Sequence, residues 1–219
     1  RIEQEEELLI DPEIFNNLTD ALPGLTHVEF QLKRGDTRNE MSCFRYDAIL
    51  SFGSTEKTAA EPIRIDAKNI TNIQDVQTAL KDASDNSVLF VGLRDARIAN
   101  EIKALGVLAS EQHSETAQEL KELSQQKIDT GIQPEALYKL ADECGTEVQM
   151  IGTAAGRLNA LFCSAQSPQP DGRSILSERE LSLRECCNNP LKGRVQRNLV
   201  PTLKEYLSDS LPDYMIPAT

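Results

Sequence analysis

The stretch from His27 to Phe52, HVEFQLKRGDTRNEMSCFRYDAILSF, decides how the chain is read. In its first part Val28, Phe30 and Leu32 alternate with Glu29, Gln31 and Lys33, the period-2 pattern of a half-buried strand. Lys33-Arg34-Gly35-Asp36 breaks that strand, with Gly35 able to take a positive φ. A second strand is expected from about Cys43 to Phe52. Between the two lies Asn39-Glu40-Met41-Ser42. Asn39, Glu40, Ser42, Arg45, Tyr46 and Asp47 place six hydrogen-bonding side chains within nine residues, more than a hairpin needs. This makes the segment a candidate functional surface.

Composition narrows the classes of function. The chain has 219 residues, enough for one large domain or a domain with a smaller companion. Its formal net charge of -12 argues against nucleic acid or an anionic membrane surface as a partner, since either needs a basic face. No apolar run approaches the roughly 20 residues that span a bilayer. These readings point to a cytoplasmic protein with no nucleic-acid and no membrane partner. The five cysteines, Cys43, Cys144, Cys163, Cys186 and Cys187, are odd in number and irregular in spacing, and the histidines are only His27 and His113. No CxxC pair occurs, so no metal site is expected and reduced thiols are the plain reading. His27 reads as a strand-edge residue. The chain opens on Arg1 and an acidic run, and both ends read as cuts in a longer polypeptide.

Outward from the hairpin, Asp11 can N-cap a helix with Pro12 in its first turn, and Ile14, Phe15, Leu18 and Leu22 then share a face. After a polar loop from Ser54 to Glu61, Ile63 to Asp66 reads as a short strand and Ile73 to Leu80 as a helix. Ser87 to Gly92 is a buried strand by its β-branched and aromatic content. Arg94-Asp95-Ala96-Arg97 is expected as a solvated junction. Two helices follow, one with Ile98, Ile102 and Leu105 on its apolar face, the other from Glu115 to Lys127. Pro134 opens a further helix whose inner face is Leu137, Leu140, Ala141 and Cys144, with Gly145 just past its end. Glu147 to Gly152 and Arg157 to Phe162 read as two strands across a Gly/Ala-rich turn. QSPQPDGR, 166–173, is a Pro/Gly-rich linker and the expected boundary. A last helix is expected from about Leu199 to Leu211, with Pro201 in its first turn.

The run from Asn39 to Ile49 resembles the NELSxYRYxAV signature of N-methyltransferase domains embedded in nonribosomal peptide synthetases. Asn39, Glu40, Ser42, Arg45, Tyr46 and Ala48 match; Met41, Phe44 and Ile49 stand in place of Leu, Tyr and Val. The segment EELLIDPEIFNNL is similar to the one preceding the last two sheet strands of those domains. A third signature, VExSxARQxGxLD, is matched at Val148, Gly156 and Leu158, but Gln149, Ile151 and Asn159 replace Glu, Ser and Asp. That stretch is therefore read as structural. Leu211-Pro212-Asp213-Tyr214-Met215-Ile216-Pro217-Ala218 resembles the LPxYMIP motif of adenylation C-terminal subdomains, and its prolines favour an extended segment.

The resemblance implies an α/β fold: the C-terminal part of a class I, Rossmann-like methyltransferase with terminal antiparallel strands and an α/β appendix over residues 1–165, a linker over 166–174, and re-entry into an adenylation domain over 175–219. It implies methylation of the amino group of an aminoacyl thioester, with S-adenosylmethionine as donor, phosphopantetheine on the carrier and ATP for the parent adenylation domain. The implied partners are the carrier and adenylation domains of the same polypeptide. Peptide products of the cyanobacterial microcystin or cyanopeptolin kind are compatible with it. In such a site Glu40 would hydrogen-bond the amine or accept its proton, and Tyr46 would face the acceptor. Asn39 would orient the acceptor carbonyl, with Ser42 and Arg45 also binding substrate and Arg45 bonding Glu40 or Asp47 as a scaffold. No GxGxG is present, so the donor-binding half is expected upstream and this chain alone is expected to be inactive. A non-catalytic acidic α/β module that spaces or docks larger domains is the alternative, and a carbon or oxygen acceptor is a third reading.

Overall fold

The computed structural model describes residues 7–53, 60–84, 86–110, 116–125, 131–153, 156–164, 168–177, 179, 181–209, 211–212 and 215–216. The loop expected after Gly53 (54–59), the tip of the Gly/Ala-rich turn (154–155), residues 165–167 of the expected linker, both ends of the helix expected over Glu115 to Lys127, and Asp213, Tyr214, Pro217 and Ala218 lie outside the described residues. The protein is mixed α/β and divides into two compact units, residues 18–178 and a smaller one of 1–17 with 179–219.

In chain order the elements are α1 (Ile14–Ala21), β1 (Leu25–Leu32), α2 (Glu40–Phe44), β2 (Tyr46–Phe52), β3 (Ile63–Asp66), α3 (Ile73–Asp82), β4 (Val88–Arg94), α4 (Ala99–Ala109), α5 (Ala117–Gln125), α6 (Pro134–Cys144), β5 (Thr146–Thr153), β6 (Arg157–Ser164) and α7 (Pro190–Ser208). The larger unit holds two sheets. One is the antiparallel pair β1–β2, in which Leu32 faces Tyr46 and Val28 faces Leu50. The other has the order β3-β4-β6-β5, with β3 parallel to β4 and the remaining neighbours antiparallel.

The four-stranded sheet is buried on both faces, and strand alternation sorts its side chains. Val88, Phe90, Val148, Met150, Ala160 and Phe162 join one hydrophobic cluster with Val76 of α3 and Leu137, Leu140 and Ala141 of α6. Phe90 and Phe162 meet edge to face with ring centres 5.8 Å apart. Leu89, Gln149, Ile151, Asn159, Leu161 and Cys163 are also buried but stand at the alternate positions. Over that second face lies a 3₁₀ turn, Gly172–Ile175, whose Gly172 and Ile175 are buried. This turn begins within the stretch read from sequence as linker and boundary and ends just past it.

Several sequence expectations change. The second hairpin strand starts at Tyr46, not Cys43, because Asn39 caps a helical turn over 40–44. The first helix starts at Ile14: the Asp11 carboxylate takes the Glu13 N–H at 3.0 Å and folds 11–13 into a turn. Strand β4 runs past Gly92 to Arg94, because a bulge at Gly92 (φ 82°) lets it continue. Cys144 is exposed at the end of α6 and Leu105 on α4 is 61% exposed, so neither belongs to its expected inner face. Gly145 takes φ 65° as the residue that ends α6.

In the smaller unit residues 7–11 run against 186–188. Asp11 N–H donates to the Cys186 carbonyl at 2.7 Å and Leu9 N–H to Asn188 Oδ1 at 2.7 Å. Helix α7 starts at Pro190, nine residues before its expected start: Asn189 Oδ1 accepts the Leu191 and Lys192 N–H groups, and Pro190 fits the first turn. Pro201 is thus interior to this helix rather than in its first turn, and it is exposed. The Met215 N–H donates to the Pro212 carbonyl at 2.9 Å.

Candidate functional site

The six polar residues singled out in the opening stretch are organised by one short helical turn. Asn39 Oδ1 accepts the Ser42 N–H at 3.0 Å while the Asn39 N–H donates to Ser42 Oγ at 3.1 Å, a reciprocal capping box. The Ser42 hydroxyl also donates to the Thr37 carbonyl at 2.6 Å. Asn39 and Ser42 therefore spend their side chains on the shape of the turn. Glu40 stands at its first position with its side chain 71% exposed, and Arg45 Nη2 donates to Glu40 Oε1 at 2.9 Å. Met41 and Phe44 are exposed beside them. Tyr46 opens β2, half-buried, with its ring tilted against Phe30 at 6.2 Å and packed on the main core. Asp47 points the other way and takes Lys33 Nζ at 2.6 Å. Glu40 and Arg45 are brought together; Tyr46 follows Arg45 in β2 and turns its ring onto Phe30 and the core.

The loop leading into this turn is fastened to α6. Glu135 accepts the Gly35 N–H and Arg34 Nη2, both at 3.0 Å, and this pairing holds the carboxylate below its usual range. Arg34 lies over the Tyr138 ring, 4.7 Å from its centre. The buried Tyr138 hydroxyl donates to the Leu32 carbonyl at 2.8 Å, and burial pushes its pKa up to about 12. His27 lies in β1 opposite Ser51.

The sequence reading missed three polar anchors. Asp95 and Arg97, expected in a solvated junction, are buried: only 1% and 7% of their side chains are exposed, and Arg97 Nη2 donates to Asp95 Oδ2 at 2.6 Å. An acid and a base two residues apart at the end of an apolar strand is the signal that points to such a pair. Asn159 bridges the Gly92 N–H at 2.9 Å and the Ile175 carbonyl at 2.6 Å. Gln149 reaches across to β1, its Oε1 3.4 Å from the Phe30 N–H. Two of the three substituted positions of the third signature are thus buried polar struts.

An open cleft of about 460 Å³ is lined by Lys81, Ser84, Cys144, Thr146, Phe162 and Ser164 among others, and by none of the residues above. Among the described residues no group of His, Cys, Asp and Glu is placed to hold a metal ion, and no helix is long and apolar enough to cross a membrane. The positive-φ glycines Gly24, Gly35, Gly53, Gly92, Gly145 and Gly156 lie apart, Gly92 at the bulge in β4 and the others outside the strands. Among the described residues none of them builds a glycine-rich strand-to-helix loop of the kind that cradles S-adenosylmethionine.

These features define a mixed α/β protein whose exposed polar turn is capped by Asn39 and held from beneath by the buried Arg97. Comparison with known proteins then gives its kinship: over nearly its whole length the chain is homologous to nonribosomal peptide synthetases. It is 32% identical to a chondramide synthase of Chondromyces crocatus over 97% of this chain and 6% of that protein. It is 29% identical to a nonribosomal peptide synthetase of Curvularia clavata over 98% of this chain and 2% of that protein. It is 26% identical to a beauvericin nonribosomal cyclodepsipeptide synthetase of Gibberella fujikuroi over 99% of this chain and 8% of that protein. The chain spans less than a tenth of each of these relatives. No family model matches it.

Proposed function

We propose that this chain is a segment of a synthetase module that N-methylates a carrier-bound aminoacyl thioester, and that Asn39–Asp47 forms the acceptor side of the methyl-transfer site. The observation that carries this reading is the turn itself. An eleven-residue signature is folded so that Glu40 is exposed, steadied by Arg45, and flanked by exposed Met41 and Phe44. Glu40 accepts a hydrogen bond from the acceptor amine, Arg45 keeps the carboxylate in place, and Tyr46 bounds the site from β2. Asn39 and Ser42 act as positioning residues through the cap. S-adenosylmethionine supplies the methyl group. Its binding residues, and those for ATP, are assigned to polypeptide outside this sequence, because the sequence carries no GxGxG and no donor cradle is formed among the described residues.

The organisation that goes with this reading is the C-terminal part of a class I methyltransferase over 1–165, a linker over 166–174 and an adenylation segment over 175–219. Two features support it. Among the described residues β2 pairs only with β1, and its open edge carries exposed Ile49 and Phe52, as suits a strand that continues a larger sheet. Helix α7 exposes Leu191, Val195, Leu199 and Leu203 at every fourth position, a face suited to further adenylation-domain structure. The carrier's phosphopantetheine arm would present the acceptor beside Met41 and Phe44.

The test is methyl transfer by the full synthetase module with Glu40→Gln and Tyr46→Phe. The proposal expects transfer to fall by about 10- to 100-fold in Glu40→Gln with donor binding unchanged. Equal rates in wild type and both variants would remove these residues from the site.

A further inference from the structure

The buried pair Asp95–Arg97 lies three strands and a helix away in sequence from the polar turn, yet it is in direct contact with it. Arg97 is held on one side by Asp95, with Nε at 3.0 Å from Oδ1 and Nη2 at 2.6 Å from Oδ2. Its remaining prong, Nη1, donates to the Ser42 carbonyl. That carbonyl lies in the last turn of α2, where backbone acceptors lack partners within the helix and partial negative charge collects. The guanidinium therefore caps the C-terminal end of α2 as Asn39 caps its N-terminal end. Contact is returned from the other side: the buried Cys43 thiol faces the Arg97 carbonyl at 3.9 Å.

The pair is itself fixed by the backbone around it. The Asp95 N–H donates to the Gly156 carbonyl at 3.0 Å, and the Ile132 N–H donates to the Arg94 carbonyl at 2.8 Å. Gly131 comes so close to Ala96 that a Cβ there would lie 2.8 Å from the Ala96 Cα. A second, exposed tie runs from Arg38, just ahead of the turn, to Glu101 in the first turn of α4. The strand-to-helix junction at the end of β4 is thus held by its neighbours, and the turn is joined to it by the buried Arg97 fork and the exposed Arg38–Glu101 pair.

We propose that Asp95 and Arg97 are positioning residues of the acceptor site: the buried pair sets where α2 lies, and so where Glu40 and Arg45 point. This rests on the acceptor reading of Asn39–Asp47, but its physical content is separately measurable. Only a planar fork can serve Asp95 and the Ser42 carbonyl together; a lysine keeps the charge and the Asp95 pairing but not both bonds. Arg97→Lys is therefore expected to stay folded while freeing the turn.

Hydrogen exchange on this chain gives the first readout. In Arg97→Lys the amides of 42–45 should exchange about tenfold faster or more, while those of β4, β5 and β6 stay as in wild type. Unchanged exchange at 42–45 would overturn the inference. Should Arg97→Lys not fold, Asp95→Asn is read in the same way, with the same two outcomes. The second readout is methyl transfer by the full module. Arg97→Lys should lower kcat by about 10-fold with the KM for donor unchanged, and combined with Glu40→Gln it should add little further loss. Full additivity would mean that Arg97 does not act through the turn, and would overturn its positioning role. If the wild-type module transfers no methyl group, the acceptor reading fails, while the exchange result still decides whether Arg97 holds the turn.

Discussion

Tyr138→Phe removes one oxygen from the path that fixes the end of β1, and its effect can be worked out from the structure. The hydroxyl donates to the Leu32 carbonyl at 2.8 Å in a buried setting. Phenylalanine keeps the ring, its packing in the core and its face toward Arg34, so the change isolates the hydrogen bond. Losing the bond and leaving the carbonyl without this partner costs about 1–2 kcal/mol. For a unit of this size each kcal/mol lowers Tm by about 2–4 °C, so a fall of about 2–8 °C is expected. Urea unfolding should show a lower midpoint at constant slope, since the exposed area on unfolding is the same. The pH dependence carries an independent check. Burial raises the Tyr138 pKa from 10.0 to about 12, so the folded state holds the proton more tightly than the unfolded one. The associated stability is fully present below pH 10 and is lost as pH rises through about 12. The gap between wild type and Tyr138→Phe should therefore narrow across that window. A Tm within about 1 °C of wild type, or a gap that widens with pH, would refute this account of the anchor.

Further outcomes follow from close packing and from thiol burial. At Gly172 an added Cβ would overlap the Val28 carbonyl oxygen and lie 2.5 Å from Gln149 Oε1, so Gly172→Ala should destabilise by about 1–3 kcal/mol in urea unfolding; an unchanged midpoint would show that the turn can retreat. Burial pushes the Cys163 thiol up to about 11, whereas Cys144 is exposed, so an alkylating reagent at about pH 8 should modify Cys144 well before Cys163; equal rates by mass spectrometry would contradict the burial of β6.

Periodicity made most of the architecture legible. The alternation of Val28, Phe30 and Leu32, the apolar run at Val88 to Phe90, and the Pro134 to Gly145 helix were read from side-chain pattern and terminal residues, and all three stand in the structure. What escaped was set by hydrogen bonds rather than by hydrophobic pattern. Asn39 can stand in a loop before a strand or cap a helical turn, and the reciprocal bond to Ser42 decides for the turn. Asp95 and Arg97 look solvated in sequence because charged residues usually are; only their pairing and the carbonyl of Ser42 allow them to be buried. Helix α7 is expected nine residues late because its apolar positions are read from Leu199, with Pro201 allowed in the first turn, whereas Asn189-Pro190 carries the start signal. Within the candidate site, Arg45 is expected to bond Glu40 or Asp47, and Glu40 is the partner in the structure; the contact of Arg97 with the turn has no local trace, since it joins residues 55 apart.

The measurement that tests the central claim most directly is transfer of labelled methyl from S-adenosylmethionine by the full synthetase module to an aminoacyl thioester on its own carrier domain, with the product released and its methylated atom identified by fragmentation. The account predicts label on the amino nitrogen, at a rate that falls with Glu40→Gln. Label on carbon or oxygen, or no transfer by a folded module that binds donor and carries loaded acceptor, would contradict it.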